Sequence, residues 1–217
     1  MKWTPDPELK QRLITALTKK HSQDPERLKH IHVTDLTYCL REAYFRKTSP
    51  KPATEQMLGF FVDGQRRHII IQDLHGAKTE VKIGGHGVRA TIDLLDDFPI
   101  EIKTSRGRPA LTPTHIEQRY GQQIAYYMLL TEKTEARFII QWLNPRVELL
   151  DPTFECYRVE FEPGEAERYL TQLQTDRDLL KQALLTQNPG LLPRVKTEKN
   201  WKCRACQYAT ECNGLEV

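Results

Sequence analysis

Residues 88–105 read VRATIDLLDDFPIEIKTS, and this stretch decides the fold. Val88 to Leu95 and Pro99 to Thr104 alternate as two short strands, joined by an acidic turn at Asp96-Asp97. Residues two apart on a strand share a face. Glu101 and Lys103 therefore project together, while Ile100 and Ile102 turn into the core. If the strands pair as a hairpin, Asp93 reaches that face too. Two carboxylates beside an amine make a site for a hard divalent cation and an activated water.

Before this stretch, Thr79 to Ile83 reads as a further strand, with Gly84-Gly85 marking its turn. A helix over about Thr54 to Leu74 carries Gly64 and His68 one turn apart. A neutral imidazole there is a further candidate metal ligand. After the hairpin come a mobile basic loop, Arg106-Gly107-Arg108-Pro109, and a helix capped by Thr112 with Pro113 at its first position. That helix runs to about Thr131. Gln122 and Tyr126 share one of its faces, and Gln123 and Tyr127 offer the same spacing, so the register stays open. Strands over Ala136 to Leu143 and Cys156 to Phe161 follow, then a helix from Pro163 to about Gln187. At the front, helices are expected over residues 4–20, capped by Thr4, and from Thr34 or Asp35 to Lys47, with Cys39 inside the second. This order predicts an α/β or α+β domain with a central mixed sheet flanked by helices.

Composition fits one globular domain: 217 residues, 39% hydrophobic and 28% charged, with a formal net charge of +3. The mild charge permits nucleic-acid binding without arguing for it. No signal-like apolar segment opens the chain, and no apolar run approaches the roughly 20 residues needed to span a bilayer. The expectation is an intracellular, cytoplasmic protein with no membrane partner. Its five cysteines then read as metal ligands or buried thiols. Cys203-x2-Cys206-x5-Cys212 is a tight triplet in a polar tail that has no core of its own, so a metal is expected to order it. Cys39 is the natural fourth ligand, and Cys156 a bystander. Spacing alone leaves zinc and an iron–sulfur cluster both open. Basic residues flank the proposed site: Arg66 and Arg67 beside His68, Arg106 and Arg108 after Lys103, and Arg119 before Gln122. Their forked geometry suits phosphate.

The ordered set G-x-x-x-H at Gly64 to His68, Asp93, E-x-K at Glu101 to Lys103 and Q-x-x-x-Y at Gln122 to Tyr126 resembles the RecB-like nucleases of the PD-(D/E)xK superfamily. One cysteine before that core and C-x2-C-x5-C after it make the chain similar to the CRISPR-associated RecB-like exonucleases, the fourth of the core Cas proteins. The resemblance spans about Val33 to Cys212. It departs from the superfamily motif at Ile92, where proline is usual before the aspartate.

The resemblance implies a restriction-endonuclease-like core in a single nuclease domain. Residues 1–50 would form a helical part with the first cysteine, 51–187 the nuclease core, and 188–217 a cluster-binding tail. It implies a 4Fe-4S cluster on Cys39, Cys203, Cys206 and Cys212. It implies Mg²⁺ or Mn²⁺ held by His68, Asp93, Glu101 and the carbonyl of Ile102. Lys103 would be catalytic, with Gln122 and Tyr126 supporting it or the DNA. The implied activity is 5′-to-3′ exonuclease cleavage of single-stranded DNA, trimming CRISPR prespacers for integrase partners in antiviral defence. The alternatives are a non-catalytic DNA-binding adaptor in a spacer-acquisition complex, a stand-alone RecB-like repair or phage nuclease, and a zinc-stabilised domain without a cluster.

Overall fold

The computed structural model describes residues 7–21, 25–105, 113–142, 154–195, 203 and 206–216. The expected basic loop at 106–109 and the Thr4 and Thr112 caps lie outside the described residues. The helices are α1 (Pro7–Lys20), α2 (Pro25–Leu28), α3 (Val33–Leu36), α4 (Leu40–Thr48) and α5 (Glu55–His75). Then come strands β1 (Lys78–Gly85), β2 (Val88–Leu95) and β3 (Pro99–Ser105). A crossover of α6 (Pro113–Ile116), a π-helical turn (Glu117–Gly121) and α7 (Gln122–Leu130) leads to β4 (Glu135–Trp142). β5 (Phe154–Glu160), α8 (Glu165–Thr186) and the short α9 (Ala209–Asn213) complete the order.

The five strands form one sheet in the order β1-β2-β3-β4-β5. β3 and β4 run parallel, from Ile100↔Arg137 to Ser105↔Trp142, and the other neighbours are antiparallel. A parallel pair needs a long crossover, which the α6–α7 segment supplies. β1 and β2 pair as far as Gly85↔Val88. The turn therefore falls on His86 and Gly87, at φ 51° and 76°, not on Gly84-Gly85 as the sequence suggests. Two residues with positive φ match the right-handed twist of the flanking strands. β2 and β3 pair only at Leu94↔Ile100 and Leu95↔Pro99. Beyond that point they part.

Helices cover both faces of the sheet. Ile71 of α5 packs against Leu94, Ile100 and Ile102 on one face. On the other, Ile124 and Met128 of α7 meet Phe138, Ile140 and Trp142 of β4. A third cluster joins Val88, Ala90 and Ile92 of β2 to Val33, Leu36 and Leu40 from the N-terminal part and Leu173 and Leu180 of α8. Each fully buried side chain of this size contributes about 1.5–3 kcal/mol.

Two expected helices differ from their reading. The segment 34–47 is split, and Cys39 lies at the extended N-cap of α4 (φ −142°), not inside a helix. Asp35 accounts for the break. Its Oδ2 accepts the His32 amide at 2.8 Å, and its carboxylate also meets Arg46 and Lys47 of α4, each at 2.8 Å. One buried carboxylate thus holds the two short helices folded on each other. The second difference is the π turn at 117–121, which interrupts the expected continuous helix. An extra residue in one turn rotates everything after it by about 100°. No helix among the described residues is long and apolar enough to cross a membrane.

Candidate functional site

The first site forms where β2 leaves β3. There the Asp93 carboxylate substitutes for the missing ladder partner, its Oδ2 accepting the Ile102 amide at 2.8 Å. Gln72 of α5 donates to the Asp93 carbonyl at 3.0 Å. From the same helix, His68 Nδ1 stands 3.7 Å from Asp93 Oδ1, too far for a hydrogen bond. α5 lies close over β3 at Gly64, where a Cβ would meet Thr104 Oγ1 at 3.6 Å.

Glu101 is 3% exposed, and its Oε1 contacts the Lys103 ammonium directly. Gln123 Nε2 donates to the same oxygen at 2.8 Å and to the Tyr127 hydroxyl at 2.7 Å. Tyr127 in turn donates to the Thr91 carbonyl at 3.2 Å. The second carboxylate oxygen, Glu101 Oε2, is buried without a hydrogen-bond partner among the described residues. Burial pushes the Glu101 carboxyl up to about 7. Lys103 pulls against that shift, and the Asp93 charge adds to it. Burial alone would lower the Lys103 ammonium, but the charges of Glu101 and Asp93 outweigh it and hold the group above its ordinary value. Burial, then the Glu101 charge, pushes the Tyr127 phenol well up.

Gln122 and Tyr126 do not join this site. Gln122 Nε2 donates to Tyr126 at 2.8 Å and to Asp176 of α8 at 3.4 Å, so the pair ties α7 to α8. The phase change at the π turn is the physical reason: Gln123 and Tyr127 face the sheet instead. Among the flanking arginines, Arg67 pairs with Asp63 at 3.1 Å and Arg119 lies over the Tyr120 ring. Arg106 and Arg108 lie outside the described residues.

The second site gathers Cys39, Cys203, Cys206 and Cys212 around one cavity of about 320 Å³, with none of them in a disulfide. Burial pushes the Cys39 thiol up, while the Glu42 and Arg41 amides at the start of α4 act the other way. The Tyr208 amide donates to Cys206 Sγ at 3.4 Å, and Arg41 Nη1 to Cys212 Sγ at 3.8 Å. Cys156 is exposed on the edge strand β5. Among the described residues, no three His, Cys, Asp or Glu side chains converge closely enough to hold a single ion.

The tail does not depend on metal alone, contrary to the expectation from its polarity. Tyr208 is buried and stacks on Phe45, with ring centroids 5.8 Å apart. Lys51 donates from Nζ to the Gln207 carbonyl at 2.8 Å and pairs with Glu211. Arg41 Nε donates to the carbonyl of the buried Leu192 at 2.9 Å.

The model of the PD-(D/E)XK nuclease superfamily matches residues 4–213. The chain belongs to that superfamily. This superfamily member also shares its fold with the crystal structure of SSO0001, at a TM-score of 0.58 and 18% identity, over 94% of this chain and 96% of that one. A phage-related exonuclease from Haemophilus somnus 129PT aligns at a TM-score of 0.51 and 10% identity, over 73% of this chain and 96% of that one. Identities this low speak to fold alone. No curated protein matches the sequence.

PD-(D/E)XK nucleases typically use divalent metals. The residues here fit such an ion: oxygen donors from Asp93 and Glu101, and a buried Glu101 oxygen lacking a partner among the described residues. The Lys103 ammonium on Glu101 Oε1 stands where positive charge is wanted.

Proposed function

We propose that this superfamily member is a metal-dependent deoxyribonuclease that digests single-stranded DNA from an end, 5′ to 3′, and trims CRISPR prespacers with integrase partners. The observation that carries the nuclease reading is the β2–β3 divergence. Beside it stand Asp93 on the Ile102 amide, His68 at 3.7 Å from Asp93, and the Glu101–Lys103 pair, with one buried Glu101 oxygen lacking a partner among the described residues.

In this reading His68, Asp93, Glu101 and the Ile102 carbonyl hold Mg²⁺ or Mn²⁺. Such an ion polarises the phosphate and lowers the pKa of a bound water. Lys103, released from Glu101, orients the water or meets the negative charge growing on phosphorus. Gln123 fixes the Glu101 carboxylate, and Tyr127 fixes Gln123 against the Thr91 carbonyl. Gln122 and Tyr126 act on the α7–α8 packing.

The four cysteines hold a 4Fe-4S cluster with a structural role. Support comes from the donor set: four thiols on one cavity with room for a multinuclear centre. The CRISPR role rests on the cysteines that bracket the core. Its check is co-purification with the integrase proteins, and failure to associate would favour a stand-alone nuclease.

The deciding experiment digests end-labelled single- and double-stranded DNA with Mg²⁺ or Mn²⁺. Lys103→Ala and Asp93→Ala are expected to fold and to lose cleavage. Full activity in either variant sinks the reading. DNA binding without turnover in the wild type would turn it into an adaptor.

A further inference from the structure

Asp93 is passed over by the strand pairing on both sides of β2. The β1–β2 register pairs Thr79 with Leu94 and Val81 with Ile92 and skips Glu80 and Asp93. On the other side, β3 pairs with β2 at Leu94 and Leu95. At the skipped rung Glu80 has φ 50°, in the left-handed region that a residue with a Cβ rarely enters. Such a conformation persists where neighbouring groups hold it.

Gln72 of α5, 6% exposed, meets that rung. Its Nε2 donates to Glu80 Oε1 at 2.9 Å and to the Asp93 carbonyl at 3.0 Å. A primary amide nitrogen carries two N–H donors, and both are used here. Both partners are acceptors, so the nitrogen and not the oxygen of the amide must face them. A buried amide is costly without its hydrogen bonds, which ties α5 to β2 at this point.

Gln72 lies four residues after His68, so the two share a face of α5. Gln72 takes the main chain of Asp93, and His68 Nδ1 stands 3.7 Å from its carboxylate. One helical turn thus addresses both ends of a single residue. Any slide or rotation of α5 that breaks the first contact also moves the second.

We infer, on the metal-dependent reading above, that Gln72 is a positioning residue of the carboxylate site: aimed by Glu80, it sets α5 against Asp93 so that His68 and the Asp93 carboxylate face the same ion. Glu80 serves as an acceptor, a role that a glutamine oxygen also fills.

The test measures Mn²⁺ binding to the full chain without DNA, by electron paramagnetic resonance of the free ion, with urea unfolding in parallel. Asp93→Ala identifies the binding that belongs to this site. Gln72→Leu is expected to bind Mn²⁺ roughly tenfold more weakly, as typical for partners of metal ligands. In cleavage of single-stranded DNA it should need correspondingly more Mn²⁺ for half-maximal rate, with the rate at saturating Mn²⁺ largely restored. Glu80→Ala should weaken binding by a smaller factor, and Glu80→Gln should match wild type. Ile71→Ala is the control for a loosened helix, since Ile71 adjoins Gln72 and packs against Leu94, Ile100 and Ile102. It should lose stability and keep its Mn²⁺ affinity.

Wild-type affinity in folded Gln72→Leu overturns the inference and leaves the metal reading standing. Equal weakening in Ile71→Ala also overturns it, because a loosened helix would then account for the loss. A drop in Glu80→Gln as large as in Gln72→Leu overturns it too, because the Glu80 charge would then draw the ion directly. If Gln72→Leu does not fold, Glu80→Ala decides, and wild-type affinity there overturns the inference. A wild type whose Mn²⁺ binding is absent, or unchanged by Asp93→Ala, overturns the metal reading and this inference with it.

Discussion

Replacing Gln123 by alanine tests which face of α7 serves the carboxylate site. The change removes two hydrogen bonds, at 2.8 Å to Glu101 and 2.7 Å to Tyr127. A hydrogen bond to a charged group is worth about 1.5–3 kcal/mol. If that bond orients Glu101 in the transition state, its loss lowers the cleavage rate roughly 10- to 150-fold, at about 1.4 kcal/mol per factor of ten. The effect on stability is smaller, because the Gln123 carbonyl is itself buried without a partner among the described residues, and alanine removes that cost as well. Gln122→Ala is the matched control. It loses a neutral bond to Tyr126 and a longer contact to Asp176, on the side of α7 facing α8. Its expected cost is about 0.5–1.5 kcal/mol of stability, with turnover near wild type. Single-turnover cleavage of end-labelled single-stranded DNA, with urea unfolding in parallel, separates the two effects. If folded Gln122→Ala loses more activity than folded Gln123→Ala, the assignment of the site-facing residue is wrong.

Asp35→Ala leaves the buried Lys47 ammonium without its carboxylate and frees the α3–α4 break, so urea unfolding should report a loss of about 3–5 kcal/mol. Stability should also fall in mild acid through His32. Burial, then the Arg27 charge, holds its imidazole down to about 4, so the unfolded chain binds the proton first as pH drops below its ordinary 6.5. The loss develops between about pH 6.5 and 4 and amounts to about 1–2 kcal/mol after solvent screening. A His32→Leu profile as steep as wild type over that window would rule the group out. Gly87→Val should destabilise the β1–β2 turn, since its φ of 76° is unfavourable for a branched residue and a Cβ would stand 3.0 Å from Arg177 Cδ. A melting temperature equal to wild type would count against it. Cys203→Ser should lose iron and lower the melting temperature while the α5–β3 core keeps its far-ultraviolet signal, and retention of both iron and stability would contradict a structural cluster.

The strand pair around Asp93, Glu101 and Lys103 was legible in the sequence because alternation is a local property. Each residue's face follows from its neighbour two positions away, and Val88–Leu95 begins and ends where the pattern says. The start of α5 near Thr54 and the spacing of Gly64 and His68 were legible for the same reason. The phase of α7 was not. A helix accumulates its rotation residue by residue, and the π turn at Glu117–Gly121 resets it, so Gln123 and not Gln122 meets Glu101. Nor could the sequence reveal that β2 parts from β3 beside Asp93, that Cys39 caps α4, or that Tyr208 and Arg41 dock the tail before any metal is counted. The tail's docking joins groups more than a hundred residues apart, the break at Cys39 rests on the buried Asp35 carboxylate with Arg46 and Lys47, and the strand parting is a matter of pairing across the sheet. The local code thus specified the residue types and their strand faces. Tertiary packing decided which of them meet.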